Sequence, residues 1–456
     1  MSIGALTEKL SALLRDMLGR GGDDESGRGG ALFTFAIRVA SAGLAFLMQV
    51  LLARWLGAFD FGIYTYVWVW VNVIGTLCAV GFSTSSVRFL AEYAKPHLHG
   101  LARGFVRMGR AVSLIVGALV AALGAWLLHS FPGIAEDYYI KPLMIGMLAL
   151  PAFAVTDFHD GVGRARRWIG LAFLPPYILR PLLILVFVAA FAIGHGDCAA
   201  SCAATALVAA TWITAGVQFL LQHRRLRASH AGARPQYQPR LWLRVSAPLL
   251  LMESFALLMM NIDVLLLKLF VGPDQIAVYF AAARTISFIS FIHFAVAAVA
   301  MPRFASAFAD RDAEQAATLL SRFRNWILWP SLAAAVFFLA TGPFVLALFG
   351  PEFPAAWPVM FALVAGYIAR AFAGPAESLL VVSGRQGYTA LVTGVTAALN
   401  VALNLTLIPR FGLVGAGAAT AMAFAFQAAV LALAARRTLN EGFTGARAGT
   451  PAASGA

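Results

Sequence analysis

Long apolar stretches of about 20 residues, bounded by glycine, proline or charged positions, dominate this chain. Each is long enough for one helix to cross the roughly 30 Å of hydrocarbon in a bilayer. A membrane barrel would instead alternate apolar and polar residues over short segments, so the pattern predicts transmembrane helices. The first six predicted spans are 31–53, 62–82, 108–129, 141–160, 170–193 and 199–222. The second six are 246–270, 276–301, 325–349, 356–383, 388–408 and 413–435.

The composition indicates the same class of protein. Of 456 residues, 61% are hydrophobic and 12% are charged, whereas charged residues make up about a quarter of a soluble domain. We therefore predict an all-α polytopic membrane protein of about twelve transmembrane helices in two six-helix lobes, at 31–222 and 246–435. A basic linker at 223–245 joins the lobes, and polar tails occupy 1–30 and 436–456.

The basic residues are distributed unevenly between the two ends of the predicted helices. Segments on the amino-terminal side carry 26 of the 34 Lys and Arg residues, and the opposite loops carry Arg54, Lys141 and Arg410. Because cytoplasmic loops are enriched in Lys and Arg, both termini are predicted to be cytoplasmic. Orientation in a membrane thus explains the net charge of +13, and we expect no nucleic-acid partner.

An internal repeat is visible when the chain is shifted by 215 residues. Gly57 then falls on Gly272, Tyr64 on Tyr279, and residues 88–89 on 303–304. An even number of predicted helices separates the copies, so the two lobes should have the same topology. Parallel repeats of this kind occur in transporters, where the substrate path lies near the midplane.

Three cysteines are present, at Cys78, Cys198 and Cys202. The last two lie four residues apart near a predicted outer turn, where a disulfide is possible but strained if the segment is helical. We interpret all three as small apolar residues.

Three stretches carry a family resemblance. They are residues 51–64 (LLARWLGAFDFGIY) between helices 1 and 2, 278–284 (VYFAAAR) in helix 8, and 407–418 (LIPRFGLVGAGA) between helices 11 and 12. Together they resemble the oligosaccharide (polysaccharide) flippases of the multidrug/oligosaccharidyl-lipid/polysaccharide exporter superfamily, over about residues 30–436.

The resemblance implies an architecture and a function. It implies two six-helix lobes around a central cavity that opens alternately to each side of a bacterial inner membrane. The implied substrate is an oligosaccharide linked through pyrophosphate to a polyprenyl lipid, moved from the cytoplasmic to the periplasmic leaflet for O-antigen, capsule or exopolysaccharide synthesis. Membrane lipids and the polysaccharide polymerase machinery are the other expected partners, and no cofactor or metal is expected.

Five basic residues fall inside the apolar spans: Arg38, Arg180, Lys268, Arg284 and Arg370. A mid-helix Arg costs roughly 2.5–3.5 kcal/mol to insert, so such residues tend to face the bundle interior or a wet cavity. A pyrophosphate group requires cationic partners, and the planar guanidinium suits phosphate oxygens. We therefore predict that the four arginines bind substrate, whereas Lys268 extends towards the outer interface.

Helical spacing adds detail in the first span. Arg38, Ser41, Ala45 and Gln49 form one stripe, which is either a helix-packing face or a cavity wall, and we predict that Arg38 and Gln49 contact substrate. In related lipid flippases, arginines in helices 1 and 8 line the cavity, so the resemblance implies this role for Arg38 and Arg284.

Arg180 and Arg370 have alternative interpretations. Arg180 follows Pro175 and Pro176, and these prolines free backbone carbonyls that it could bond. Arg370 and Glu377 are seven residues apart on one predicted helical face, where they would form either part of the cavity or a structural ion pair.

Acidic residues within the spans are fewer. Glu253, Asp263 and Glu377 are predicted to act in ion coupling or gating, and the alternative is that they are buried partners of arginines. A further group at Asp157, His159 and Asp160 is interpreted as a solvated helix end, with Asp160 and Arg164 at the spacing of an ordinary helical ion pair.

Two other functions remain open at this stage. An ion-coupled multidrug exporter of the same superfamily would rely on buried carboxylates, whereas the balance here favours basic residues and an anionic substrate. A membrane-bound polysaccharide polymerase or ligase would need a sizeable outer loop with catalytic groups, and the longest predicted one, at about 130–140, has few. Nucleotide-binding and HExxH motifs are absent from the sequence, so we expect a transporter rather than an enzyme.

Overall fold

The computed structural model describes residues 27–131, 133, 135–195, 199–229 and 234–441, which are helical without any strand. The helices are α1 (Gly27–Cys78), α2 (Phe82–Glu92), α3 (His99–Ser130), α4 (Asp137–Met147), α5 (Leu150–Ala165), α6 (Ile169–Leu174), α7 (Arg180–His195), α8 (Ala200–Ser229), α9 (Pro239–Leu267), α10 (Pro273–Ser287), α11 (Ser290–Ala309), α12 (Ala313–Ala347), α13 (Trp357–Ala373), α14 (Ala376–Val382) and α15 (Gln386–Asn440). Short turns of 3-10 helix lie at Pro96–Leu98 and Phe353–Ala356, and a π-helical turn lies at Pro175–Leu179.

Twelve membrane spans can be traced in the described ranges. Nine helical segments are long and apolar enough to cross a bilayer, and the pair α4 and α5, bent by 48°, forms one more span. Two of the nine are double, because α1 and α15 contain 52 and 55 residues and are each interrupted by a non-helical glycine. The predicted all-helical architecture with twelve spans is confirmed.

Gly57 and Gly412 form these two interruptions. Their backbone angles are φ 74°, ψ 167° and φ 56°, ψ −135°, which a residue with a Cβ adopts only with strain. Both glycines lie in the sequence stretches that carry the family resemblance. Each of these stretches therefore encodes the connection between two successive spans.

The chain divides into two compact units between Ser254 and Phe255, within α9. We call the described residues up to 254 unit 1 and those from 255 unit 2. The lobe boundaries taken from the sequence stay predictions. Helix α8 extends to Ser229 and α9 begins at Pro239, so much of the predicted linker is helical. The predicted tails at 1–30 and 436–456 lie mostly outside the described residues, as does 230–233.

An aromatic core packs the helices of unit 1 together. Phe82, Phe89, Phe105, Phe158 and Trp242 are at most 1% exposed and come from α2, α3, α5 and α9. Their ring centroids are 5.3 to 6.5 Å apart in tilted or edge-on pairs, which is the favoured range for aromatic side chains. This core fixes α2 and α5 beside the first half of α9.

The core of unit 2 is built from α11, α12, α14 and α15. Phe304, Phe323, Leu379 and Leu380 are fully buried in it. Gly374, with φ 64°, ends α13, and α14 begins two residues later. The tenth span is therefore broken where the sequence predicted one continuous helix.

The cysteines are not all plain apolar residues. Cys78 is a buried free thiol, as expected. Cys202, at the start of α8, is disulfide-bonded, so the interpretation of this residue was wrong. Cys198 lies outside the described residues.

Candidate functional site

Helices α2 and α9 of unit 1 meet through polar side chains. Gly81 has φ 69°, and a Cβ there would lie 2.3 Å from the carbonyl oxygen of Ser246, so glycine is required for this close approach. One turn further along, the hydroxyl oxygens of Ser85 and Ser246 are 2.7 Å apart. The Thr84 hydroxyl donates a hydrogen bond to the Glu253 carboxylate. Glu253, a predicted coupling residue, is thus fixed against α2.

Helix α5 brings two more carboxylates to this position. Arg164 Nε lies 3.1 Å from Asp160 Oδ2, and Arg164 Nη2 donates to Ser83 Oγ at 3.2 Å. Asp157 and Glu253 are close enough to interact electrostatically, as are Glu253 and Asp160. We name Asp157, Asp160, Arg164 and Glu253 the unit 1 carboxylate cluster. It holds three acids and one arginine.

The carboxylate cluster corrects one expectation from the sequence. The predicted ion pair of Asp160 and Arg164 is present, but the group is not a solvated helix end. Asp160 is 8% exposed and His159 is fully buried. Among the described residues, Asp157 Oδ2 and Glu253 Oε2 are buried without a hydrogen-bond partner. Their burial was missed because the predicted helix end that carries Asp157 and Asp160 is covered by α2 and α9, which the local sequence does not indicate.

His159 makes hydrogen bonds to neighbouring helices that are typical of a structural residue. Its Nε2 accepts a hydrogen bond of 2.9 Å from Arg110 Nε, and its carbonyl accepts one of 2.7 Å from Gln222. Arg110 lies within α3 and stacks on Phe219. The described residues contain no group of three or more His, Cys, Asp or Glu side chains placed to hold a metal ion.

Two predicted substrate-binding arginines lie on aromatic rings in unit 1. Arg180 is 6% exposed, and its guanidinium lies 4.7 Å from the ring centre of Phe153 and 5.1 Å from that of Trp68. Its Nη1 has no hydrogen-bond partner in the described chain. Arg38 is exposed, with its guanidinium 5.3 Å from the ring centre of Phe173.

Both arginines border the carboxylate cluster. Arg38 is within electrostatic range of Asp160, and Arg180 is within range of Asp157. The fold of unit 1 therefore brings three of its predicted site residues, Arg38, Arg180 and Glu253, to one charged region. Gln49 is buried on α1 at 8% exposure.

The charged residues of unit 2 form a second region. The Tyr279 hydroxyl donates to Asp263 Oδ2, and the Val264 amide donates to Asp263 Oδ1 at 2.9 Å. Arg284 lies over the Phe280 ring at 4.7 Å and interacts electrostatically with Asp263 and with Tyr367. Asp263 is thus hydrogen-bonded to Tyr279 and to the Val264 amide, and it lies within electrostatic range of Arg284.

Arg370 faces a cavity within unit 2. Its guanidinium lies 5.5 Å from the ring centre of Phe424, and it is within electrostatic range of His293. The cavity is small, with room for about one water molecule, and is lined by residues of α11, α12 and α13 and by Ile289. Glu377 lies on α14 beyond the break at Gly374, and no ion pair joins it to Arg370 in the described chain.

The four candidate arginines share one property. Arg38, Arg180, Arg284 and Arg370 each lie over an aromatic ring, and in the described chain none has a carboxylate oxygen within 4.0 Å. Cation–π contact lowers the cost of burying a guanidinium by about 2 kcal/mol when it is desolvated, and it leaves the positive charge in place. These side chains can therefore accept an anion.

A comparison of the sequence with family models finds a model that matches more than half of the chain. The model described as "Polysaccharide biosynthesis protein" matches residues 28–308. The chain belongs to the polysaccharide biosynthesis protein family. The matched range includes unit 1 from residue 28 onwards and the unit 2 residues Asp263 and Arg284. A comparison with curated proteins finds no match.

Solved structures similar to this family member are membrane transporters. The lipid II flippase MurJ in an inward closed conformation has a TM-score of 0.72 at 11% identity, over 89% of this chain and 88% of MurJ. An outward-facing multidrug resistance MATE transporter of the MOP superfamily has a TM-score of 0.65 at 16% identity, over 93% and 98% of the two chains.

A third similar structure is a MOP superfamily transporter from Pyrococcus furiosus, described as having a binding pocket of reverse polarity. It has a TM-score of 0.64 at 16% identity, over 93% of this chain and 97% of that one. At these identities the likeness establishes the fold alone. This polysaccharide biosynthesis family member therefore has the fold of MOP superfamily transporters, and both the predicted family and the predicted fold class are confirmed.

Proposed function

We propose that this multi-pass membrane protein is a flippase for polyprenyl-pyrophosphate-linked oligosaccharide. It moves the lipid-linked sugar from the cytoplasmic to the periplasmic leaflet of a bacterial inner membrane, by alternating access, for O-antigen, capsule or exopolysaccharide synthesis. Membership of the polysaccharide biosynthesis family supports a glycan cargo, and the similarity in fold to MurJ, a lipid II flippase, supports a lipid-linked one. The protein acts as a transporter and not as an enzyme in this proposal.

One observation carries the proposal. Four membrane-embedded arginines lie on aromatic rings and have no carboxylate within ion-pair distance in the described residues. A charge of this kind costs roughly 2.5–3.5 kcal/mol to insert, and no salt bridge offsets that cost here. A diphosphate head group would supply the missing negative charge, and its oxygens match the planar guanidinium.

The residues have distinct proposed roles. Arg38 and Arg284 bind the pyrophosphate, while Arg180, Arg370 and Gln49 complete the substrate-binding surface. Glu253 is the proposed coupling residue, because its Oε2 is buried without a partner beside Asp157 and Asp160. Asp263, which is held by Tyr279 and Val264, remains a gating candidate, as does Glu377 in the first turn of α14.

The carboxylate cluster also supports a second function. Buried acids could couple the export of cationic compounds to an ion gradient, as expected for the multidrug exporters with the same fold. In the described residues no carboxylate lies within ion-pair distance of the four arginines, which favours the anionic cargo over this alternative. We further propose that both termini are cytoplasmic and that the polysaccharide polymerase machinery receives the product.

Replacement of Arg284 tests the proposal directly. Full-length protein in proteoliposomes is given a fluorescent polyprenyl-pyrophosphate oligosaccharide, and the fraction that reaches the opposite leaflet is measured over time. Arg284→Ala should slow flipping by at least about tenfold, because a charged hydrogen bond contributes roughly 1.5–3 kcal/mol. Arg284→Lys should retain part of the rate, since it keeps the charge but loses the planar fork.

Arg322→Ala is the matched control. Arg322 is exposed and stacks on Trp326 at 5.0 Å, so its loss removes a similar contact outside the candidate residues and should leave flipping unchanged. Full activity of a folded Arg284→Ala protein would refute the assigned role. Export of a cationic dye without any flipping would favour the exporter.

In the same vesicles with an imposed proton gradient, Glu253→Gln should abolish any dependence of the flipping rate on the gradient. Retained dependence would reject Glu253 as the coupling residue.

A further inference from the structure

Basic residues from two helices of unit 1 come together beside His223. Arg103, Arg107 and Arg110 lie on α3, and Arg227 lies on α8. All four arginines are within electrostatic range of the His223 ring. We name these five residues the unit 1 basic patch. It lies at the ends of α3 and α8 that the bias of Lys and Arg predicts to be cytoplasmic.

Helix α5 joins α3 and α8 beneath the basic patch. Arg110 Nε donates a hydrogen bond of 2.9 Å to His159 Nε2, and Gln222 of α8 donates one of 2.7 Å to the His159 carbonyl. The ring centre of Phe219 lies 4.6 Å from the Arg110 guanidinium, and the same ring stacks on His223 at 5.4 Å. Groups from two neighbouring helices therefore fix the position of the Arg110 guanidinium.

The Arg110–His159 pair keeps two hydrogen-bond donors that are not used. Arg110 Nη2 is buried without a partner in the described chain. Because His159 Nε2 accepts the bond from Arg110, the neutral ring carries its proton on Nδ1, which is also buried without a partner there. Burying an unpaired donor costs free energy, so an acceptor from outside the protein would stabilise this arrangement.

Arg107 and Arg227 add positive charge that has no acidic partner in the described part of the chain. Both side chains are exposed, and no carboxylate oxygen lies within 4.0 Å of either. Their charges surround one ring together with those of Arg103 and Arg110, and like charges repel one another. The basic patch therefore favours an anionic partner.

Apolar side chains continue from the basic patch towards the membrane interior. Leu114 follows Arg110 by four residues, so the two lie on one face of α3, and Leu114 is exposed. On α8, Phe219 and Leu220 are exposed in the turn before His223. A free inorganic anion would leave this apolar surface unused. A phospholipid has a phosphate at the membrane surface and acyl chains beside such residues.

We propose that the unit 1 basic patch binds the headgroup phosphate of an anionic phospholipid from the cytoplasmic leaflet. Arg110 Nη2 donates to a phosphate oxygen, and Arg107 and Arg227 balance the negative charge. The acyl chains lie against Leu114 and Leu220. Basic pockets between transmembrane helices on the cytoplasmic side are suited to such headgroups, and guanidinium groups are suited to phosphate oxygens.

The proposed lipid site is separate from the unit 1 carboxylate cluster. His159 follows Asp157 by two residues, and at 3.6 residues per turn the two side chains project about 200° apart around α5. The basic patch thus lies on the other side of α5 from Asp157. The inference concerns a lipid of the surrounding bilayer and does not depend on the cargo proposed above.

Native mass spectrometry of the delipidated full-length protein in detergent tests the lipid site. The two probes are phosphatidylglycerol and phosphatidylcholine with the same acyl chains, and we expect phosphatidylglycerol to bind more tightly. Combined Arg107→Gln and Arg227→Gln should weaken phosphatidylglycerol binding by about 30-fold, because each arginine near an anionic headgroup contributes about fivefold. Phosphatidylcholine binding should not change.

A double variant in unit 2 is the matched control. Arg303 and Arg322 are exposed and lie on the same predicted side of the membrane, so Arg303→Gln with Arg322→Gln removes the same charge from outside the patch. It should bind phosphatidylglycerol as the unmodified protein does. An equal loss of affinity in both double variants would show an effect of net charge and overturn the inference.

Arg110→Gln tests the buried donor. It should also weaken phosphatidylglycerol binding by about fivefold or more, and Arg110→Lys should lose less because it keeps the charge. The exposed Arg107 and Arg227 variants remain decisive if the protein without Arg110 does not fold. Equal affinity for the two phospholipids overturns the inference, as does phosphatidylglycerol binding that the paired Arg107 and Arg227 substitutions leave unchanged.

Inorganic phosphate distinguishes a lipid site from a site for any anion. Millimolar phosphate should leave phosphatidylglycerol bound, because phosphate makes no use of the apolar surface, and displacement of the lipid by phosphate would overturn the inference. The result is also separable from the test of the proposed function. A protein that flips lipid-linked glycans without preferring phosphatidylglycerol refutes the lipid site alone, and one that binds this lipid at the patch but flips nothing refutes the flippase alone.

Discussion

At the scale of single residues, the burial of arginine is the feature that supports the proposed anionic cargo. Arg180 is almost fully buried against Phe153 and Trp68, and its Nη1 has no partner in the described chain. The insertion cost of roughly 2.5–3.5 kcal/mol exceeds the cation–π gain of about 2 kcal/mol. Stability therefore does not explain why an arginine occupies this position.

Replacement of Arg180 by methionine should separate stability from transport. We expect Arg180→Met to stabilise the folded protein by about 1 kcal/mol, the difference between the two costs above, while transport falls. Thermal unfolding in detergent, followed by tryptophan fluorescence, measures the first effect, and the vesicle flipping assay measures the second.

Arg164→Met is the contrasting variant in the same unit. Its loss leaves Asp160 buried without its ion-pair partner, which should destabilise the protein by about 1–3 kcal/mol. If both variants lower the melting temperature equally, Arg180 is a structural residue and its proposed role is wrong.

The sequence identified these arginines but not their surroundings. An arginine inside an apolar span is visible from hydropathy alone, whereas Phe153, Trp68 and Phe173 lie on other helices and become neighbours only through packing. The unit 1 carboxylate cluster was missed for the same reason. Asp157 and Asp160 are near the predicted end of a helix, and nothing in the local sequence indicates that α2 and α9 cover them.

Small residues decide how closely the helices pack. Gly117 of α3 faces Pro151 of α5, and a Cβ at Gly117 would lie 2.7 Å from the Pro151 Cα. In lipid, such close approach provides van der Waals contact in the absence of a hydrophobic driving force between helices. The backbone of Pro151 cannot move aside as a flexible side chain could.

Gly117→Ala should therefore force α3 and α5 apart. We expect a destabilisation of about 1–3 kcal/mol, the usual cost of inserting a methyl group into a packed interface, measured as a lower melting temperature in detergent. Gly216→Ala in α8 is the control, because a Cβ there meets nothing within 4 Å. It should be neutral or stabilising by up to about 1 kcal/mol. Equal effects of the two substitutions would contradict the close packing.

At the scale of helices, the positions of the membrane spans could be predicted from the sequence, but the breaks within the spans could not. Apolar length predicts the existence of a helix, and Gly57 and Gly412 lie where the sequence placed the connections. By contrast, the bend between α4 and α5, the π turn at Pro175–Leu179 and the break at Gly374 fall inside apolar stretches. Hydropathy does not distinguish a straight helix from a broken one, because both bury the same apolar residues.

Orientation in the membrane is a property of the whole molecule, and two independent features bear on it. The bias of Lys and Arg predicts cytoplasmic termini. The disulfide at Cys202 lies near the turn that this orientation places outside, and disulfides persist mainly in oxidising compartments. The charge pattern and the cysteine chemistry thus agree on one direction, which is also the direction that the proposed export of a glycan requires.

Single cysteines on opposite loops test that direction. In a background with Cys78, Cys198 and Cys202 replaced by alanine, Glu314→Cys and Glu352→Cys introduce thiols at exposed positions on α12 and near the Phe353–Ala356 turn. A membrane-impermeant maleimide applied to intact spheroplasts should label Glu352→Cys, and it should label Glu314→Cys only after permeabilisation. The background protein without added cysteine should stay unlabelled. The reverse labelling pattern would place the basic loops outside, and the transport direction proposed for this family member would then be wrong.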